Sequence, residues 1–169
     1  MRLPSQLARW PLLRAYRPER ASLEMLFENA PRFVERLAAH DFASWDDVLA
    51  RGEELARTLP EDEQLELIDG HPRIGALPSS VSATSFHEQG YDHDPGTAEL
   101  QAKLDRLNDA YEARHGFRFV VFVNGRSRAQ IAEVLQDHLE ADRDAELARA
   151  LTDVFAIARS RLSRLPVTN

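Results

Sequence analysis

The sequence predicts an all-α, bundle-like fold in one domain. Three observations carry that expectation: apolar residues recur at three- and four-residue steps through most of the chain, capping residues stand where those runs begin, and a single short run has strand character. With 169 residues, 43% of them apolar, the chain can bury a real core as one domain over residues 1–169. Residues 1–18 are expected to be a loosely attached N-terminal segment.

In residues 20–40, Leu23, Leu26, Phe27, Ala30, Phe33, Val34 and Leu37 mark a helix with one buried stripe, bent at Pro31. Ser44, with Asp47 three residues on, reads as a capping box for a second helix carrying Val48, Leu49, Leu55 and Leu59. Pro60 suits the first turn of a third helix, which Asp69 and Gly70 stop. Residues 70–96 lose periodicity and collect glycine, proline, serine and histidine. A long irregular stretch of this kind is where site residues are expected.

Thr97 caps a fourth helix bearing Leu100, Leu104, Leu107 and Tyr111, which ends near His115 and Gly116. Residues 117–123 could form a strand, but no partner run exists, so buried extended chain is expected. Ser127 caps a fifth helix with Ile131, Val134, Leu135 and Leu139. Asp142 begins a sixth, with Leu151, Phe155, Ala158 and Leu162 on its apolar face.

Composition excludes several functions. The net charge of −7, from 28 acidic against 21 basic residues, argues against a nucleic-acid surface, which needs clustered positive charge. No apolar run approaches the roughly 20 residues that cross a bilayer. With no cysteine there is no disulfide, thiolate metal site or cysteine nucleophile, and a reducing compartment is allowed, so the cytoplasm is the expected location. The basic segment carrying Arg2, Arg9, Arg14 and Arg17 is short, serine-poor and broken by Pro4 and Pro11, unlike a transit peptide.

Four sets of residues could carry chemistry. His71 precedes Pro72, which biases its backbone toward an extended pose, and imidazole exchanges protons near neutrality. The same histidine could simply cap the preceding helix. Ser85, Glu88 and Gln89 bring a hydroxyl, a carboxylate and an amide to one turn, suited to a ligand rich in N–H and C=O groups; Ser85 with Glu88 could equally be a capping box. Arg161 could grip a carboxylate or urea in two-point fashion, although its neighbours Arg159 and Arg164 favour an exposed helix arginine. His87, Glu88, Asp92, His93 and Asp94 have metal-ligand chemistry, yet their spacing fits no established zinc pattern, so no metal is expected.

Taken together, His71-Pro72-Arg73-Ile74-Gly75, the Ser85 to Gln89 group, the run from Tyr111 through Gly116 to Val121, the Arg161-Leu162 pair and Glu28-Asn29-Ala30-Pro31 resemble one family. It is the 2-oxo-4-hydroxy-4-carboxy-5-ureidoimidazoline (OHCU) decarboxylases, and the likeness runs from about Glu19 to Leu165. The resemblance implies an all-helical, cofactor-free, usually dimeric enzyme that forms (S)-allantoin in the last step from urate.

The resemblance further implies that His71 is catalytic, with Pro72 beside it and with Glu88 and Arg161 completing the catalytic group. Ser85 and Gln89, together with Phe119, Val120, Val121, Phe122 and Val123, would bind substrate. Three features depart from the family pattern: Arg118 where proline is frequent, Phe122 where a smaller residue is common, and a short loop between Gln89 and Thr97. A relative acting on a different ureide, or a noncatalytic ureide-binding module, would share most of these residues.

Overall fold

The computed structural model describes residues 16–76, 81–90 and 96–165. Most of the expected N-terminal segment therefore lies outside the described residues. Among those described there are eight helices: α1 (Arg20–Leu26), α2 (Pro31–Ala38), α3 (Trp45–Thr58), α4 (Glu61–Asp69), α5 (Ala83–Glu88), α6 (Ala98–His115), α7 (Arg128–His138) and α8 (Arg143–Leu162). None is long and apolar enough to cross a membrane.

Four starts form at the expected caps, with the Ser44 capping box half formed because the Asp47 carboxylate accepts from the Ala43 N–H instead of that of Ser44. The side chains of Ser44, Thr97, Ser127 and Asp142 each accept the N–H of the residue three further on, satisfying a donor that the first turn would otherwise leave unpaired. α6 ends as expected at Gly116, whose φ of 81° is left-handed backbone that glycine adopts without steric cost.

The expected first helix is two. Asn29 has a φ of 56°, breaking the helical path, and its side-chain amide donates to the Gly70 carbonyl at 3.0 Å. Asparagine tolerates this backbone better than most residues. Pro31 then starts α2 instead of bending a continuous helix, because its missing N–H costs nothing in a first turn. The second departure is α5, which forms within the stretch expected to be irregular. Ser85 is its one buried residue, so no apolar periodicity announces it.

α8 is the central element. It packs against α1, α3 and α4, while α6 pairs with α7. Phe155 of α8 meets Phe27 and Phe33 at ring-centroid distances of 5.3 and 5.9 Å, anchoring a single core cluster that runs from Leu23 to Ala158. Residues 117–123 form no strand; Phe119 is fully buried, against Tyr111.

Gly70 stops α4 by a different route from Gly116. Its φ of −59° is ordinary right-handed backbone, but a Cβ there would lie 2.5 Å from the Glu28 carbonyl oxygen. The glycine lets the α1–α2 corner dock directly against the residue preceding His71. Gly70→Ala is therefore expected to lower stability by about 1–3 kcal/mol, the usual cost of overpacking, as read from thermal unfolding.

Candidate active site

The end of α4, α5, residues 120–128 and the last turns of α8 enclose a cavity of about 560 Å³. His71, Pro72, Ser85, Glu88 and Gln89 line it, and so do Val120, Val121, Phe122 and Val123. Residues far apart in sequence thus meet around one space. Phe119 and Arg161 stand behind this wall, the former in the core and the latter 3% exposed.

His71 is held by its backbone. Its N–H donates to the Ile68 carbonyl at 3.1 Å, and its carbonyl accepts from the Arg118 guanidinium at 3.1 Å. Arg118 also donates to the Asp69 carbonyl at 2.7 Å, while its own N–H donates to the Asp69 carboxylate at 2.9 Å. The arginine that departs from the family pattern therefore braces the histidine's loop from outside.

The His71 ring is buried, and neither nitrogen completes a hydrogen bond. Burial first, and the positive charge of Arg161 second, push its pKa down to about 4, with the backbone of Leu67 and Ile68 pulling weakly the other way. At neutral pH the ring is uncharged, so one nitrogen carries a proton while the other can accept one. The ring lies by the Leu67 and Ile68 backbone at the end of α4, as a capping histidine would, and its incomplete hydrogen bonding leaves capacity that a ligand can fill.

Glu88 faces this ring's cavity from α5 and is gripped by Arg161. The arginine Nε and Nη2 donate to the two Glu88 carboxylate oxygens at 2.8 and 2.9 Å. Nη1 reaches the Leu26 and Met25 carbonyls at 3.1 and 3.5 Å, and Nη2 also meets Glu28 at 3.3 Å. Arg161 thus joins α8, α5 and the C-terminal end of α1, where carbonyls lack helical partners. Its five N–H groups have five contacts. The exposed reading of Arg161 is overturned; its two-point contact exists, and Glu88 receives it.

Ser85 and Gln89 are tied into the scaffold. The Ser85 hydroxyl donates to Glu28 at 3.2 Å, and its N–H donates to the Ser82 hydroxyl at 3.1 Å. Ser82, not Ser85, is therefore the cap of α5, and the Ser85 to Glu88 capping box does not form. The Gln89 side chain accepts from the Gly75 N–H at 3.0 Å and donates to the Arg73 carbonyl at 3.1 Å, fixing the loop after His71.

The wall of residues 120–123 is held from α8. Arg149 donates to the Val120 carbonyl at 2.9 Å and pairs with Asp153 at 2.7 Å. Burial raises the Asp153 pKa, while Arg149, the Phe122 backbone N–H and the charge of Arg126 favour its ionised form. Arg149 and Asp153 escaped the sequence reading, and Glu28 entered it only within the Glu28–Pro31 segment with no site role, because only tertiary packing brings them to the site. Of the five residues with metal-ligand chemistry, Asp92, His93 and Asp94 lie outside the described residues; no group of three or more potential ligands occurs among those described.

Comparison with known proteins gives the family and the fold. A protein-family profile described as OHCU decarboxylase matches residues 17–163. The uric acid degradation bifunctional protein PucL of Bacillus subtilis is 31% identical over 147 residues, covering 84% of this chain and 29% of that protein. A 2-oxo-4-hydroxy-4-carboxy-5-ureidoimidazoline decarboxylase of Haloferax volcanii is 25% identical over 139 residues, covering 82% of this chain and 83% of the relative. The chain spans under a third of the two Bacillus bifunctional proteins it matches, 29% and 28% of their lengths. A crystal structure of OHCU decarboxylase in the presence of (S)-allantoin shares the fold, with a TM-score of 0.69 at 20% identity, over 87% of this chain and 97% of that one. A match that runs through nearly every element building the cavity shows that the chain belongs to the OHCU decarboxylase family.

Proposed function

We propose that this chain decarboxylates OHCU to (S)-allantoin, without a cofactor, as the last step from urate to allantoin. The observation that carries the reading is the uncharged, unpartnered His71 ring on a cavity shared with the Arg161-braced Glu88 carboxylate. OHCU bears its carboxylate on a carbon that also carries a hydroxyl and adjoins a C=N bond. When the C–C bond to CO₂ breaks, its electron pair moves into that unsaturated unit, so the substrate supplies its own electron sink.

In this reading His71 takes the hydroxyl proton as cleavage proceeds, and a proton is delivered to one face of the ureido-bearing carbon. Delivery from one side sets the S configuration. Glu88 accepts N–H bonds from the ureido arm or ring, and Arg161 acts through Glu88 by fixing the carboxylate's position. Ser85, Gln89 and residues 120–123 shape the pocket around the ligand, with Phe119 behind them in the core instead of against substrate. The family resemblance supports a homodimer, and a cysteine-free chain is compatible with the cytoplasm.

The test is to offer freshly generated OHCU and a panel of other ureides to the wild-type chain, with and without a strong chelator. Loss of OHCU faster than its spontaneous decay, unchanged by the chelator, is expected. Turnover of another ureide alone would favour the related decarboxylase, and binding of allantoin without any turnover would favour a binding module. Activity lost on chelation and restored by a divalent ion would point to metal-dependent chemistry instead.

A further inference from the structure

The cavity must accommodate an anion, and its charges are unevenly matched. Glu88 is neutralised by Arg161, whose N–H groups are all committed to the protein, and His71 is uncharged near neutrality. Burying a carboxylate against a largely apolar wall is costly without a cation to meet it. Three further arginines line the cavity: Arg126, Arg128 and Arg164.

Arg126 is the best prepared of them. Asn124 and Gly125 have φ values of 48° and 75°, and the Arg126 N–H donates to the Val123 carbonyl at 3.1 Å. Two successive left-handed residues make a tight reversal, which folds Arg126 back along the end of the 120–123 segment. Its Nε donates to the Val123 carbonyl at 3.1 Å and its Nη2 to the Phe122 carbonyl at 2.6 Å. These bonds hold the guanidinium still while using two of its five N–H groups.

Both partners are neutral carbonyls, and no carboxylate of the described residues forms an ion pair with Arg126; Asp153, whose carboxylate feels the Arg126 charge, is itself paired with Arg149. Arg128 donates to Gln101 at 2.6 Å, and Arg164 is an exposed side chain just past the end of α8. An arginine already fixed loses less rotamer freedom on gripping a carboxylate than an exposed one.

We propose that Arg126 is a substrate-binding residue that holds the carboxylate of the anionic ureide. The assignment rests on the OHCU reading above. Because the contact is made to the ground-state carboxylate, its benefit belongs to binding and orientation more than to the bond-breaking step.

The test compares wild-type, Arg126→Gln and Arg126→Lys chains for KM and kcat on OHCU, and for competitive inhibition by neutral (S)-allantoin. Arg126→Gln is expected to raise KM about 10- to 100-fold, as loss of a charge-assisted hydrogen bond does, with kcat little changed. Allantoin inhibition should be unaffected, since that molecule has no carboxylate, and Arg126→Lys should recover part of the loss. An unchanged KM would overturn the assignment. So would a parallel weakening of substrate and allantoin, which would show that Arg126 only shapes the 122–123 backbone. A wild-type chain inert toward OHCU would instead remove the functional reading, and this assignment with it.

Discussion

Replacing His71 by asparagine is expected to cost a factor of about 10² to 10⁴ in turnover, the usual contribution of a positioned acid/base group. OHCU decays unaided to racemic allantoin, so at that loss the spontaneous reaction dominates and the S excess disappears. Asparagine retains hydrogen-bonding atoms of similar reach but cannot exchange a proton near neutral pH.

The substitution also has a sign-specific effect on stability. His71 is uncharged in the folded protein down to about pH 4, whereas the unfolded chain takes up a proton near pH 6.5. Wild-type stability is therefore fully present above pH 6.5 and is progressively lost as pH falls through about 4. The total is about 3 kcal/mol, as an order of magnitude. Asparagine carries no such penalty, so denaturant unfolding should show the variant gaining on wild type as pH falls. If His71 served only the packing of its loop, the variant would keep nearly full stereospecific turnover, and His71 would leave the mechanism.

Removing the Arg161 fork is expected to give the second large effect. Arg161→Met strands Glu88 and Glu28 without their cation, a change that costs about 3–5 kcal/mol when the pair is buried. Arg161→Lys keeps the charge and should recover part of that stability. Lysine cannot span both Glu88 oxygens while also reaching the Leu26 carbonyl, so kcat should remain well below wild type with KM less affected. Arg159, two residues away on α8, makes a half-exposed pair with Glu53, and Arg159→Lys should change little. Equal effects at the two positions would show that Arg161 positions nothing.

Local chemistry made much of this fold legible. A serine, threonine or aspartate before a periodic run can satisfy a helix start within a few residues, which is why α3, α6, α7 and α8 begin where expected. Residues 117–123 were legible as buried chain because a strand needs a partner and none was present. The break at Asn29 was not, because the contact that compensates its left-handed backbone is with Gly70, 41 residues away. α5 was hidden by its length and exposure, and so the capping role passed from Ser85 to Ser82.

The site divides in the same way. His71, Ser85, Glu88 and Gln89 were visible because their residue types stand out in an aperiodic stretch. The burial of Arg161 was invisible because its partners lie 73 and more than 130 residues away in the chain. Arg126 could have been found: Asn124-Gly125 is a strong turn signal, and an arginine directly after such a turn is held close to the segment it reverses.

The most direct measurement of the central claim is the circular dichroism of product formed when the wild-type chain meets OHCU freshly generated from urate. Rapid growth of an (S)-allantoin signal is expected, proportional to protein concentration and absent with His71→Asn. A product that stays racemic and forms at the spontaneous rate, whatever amount of chain is added, would contradict it.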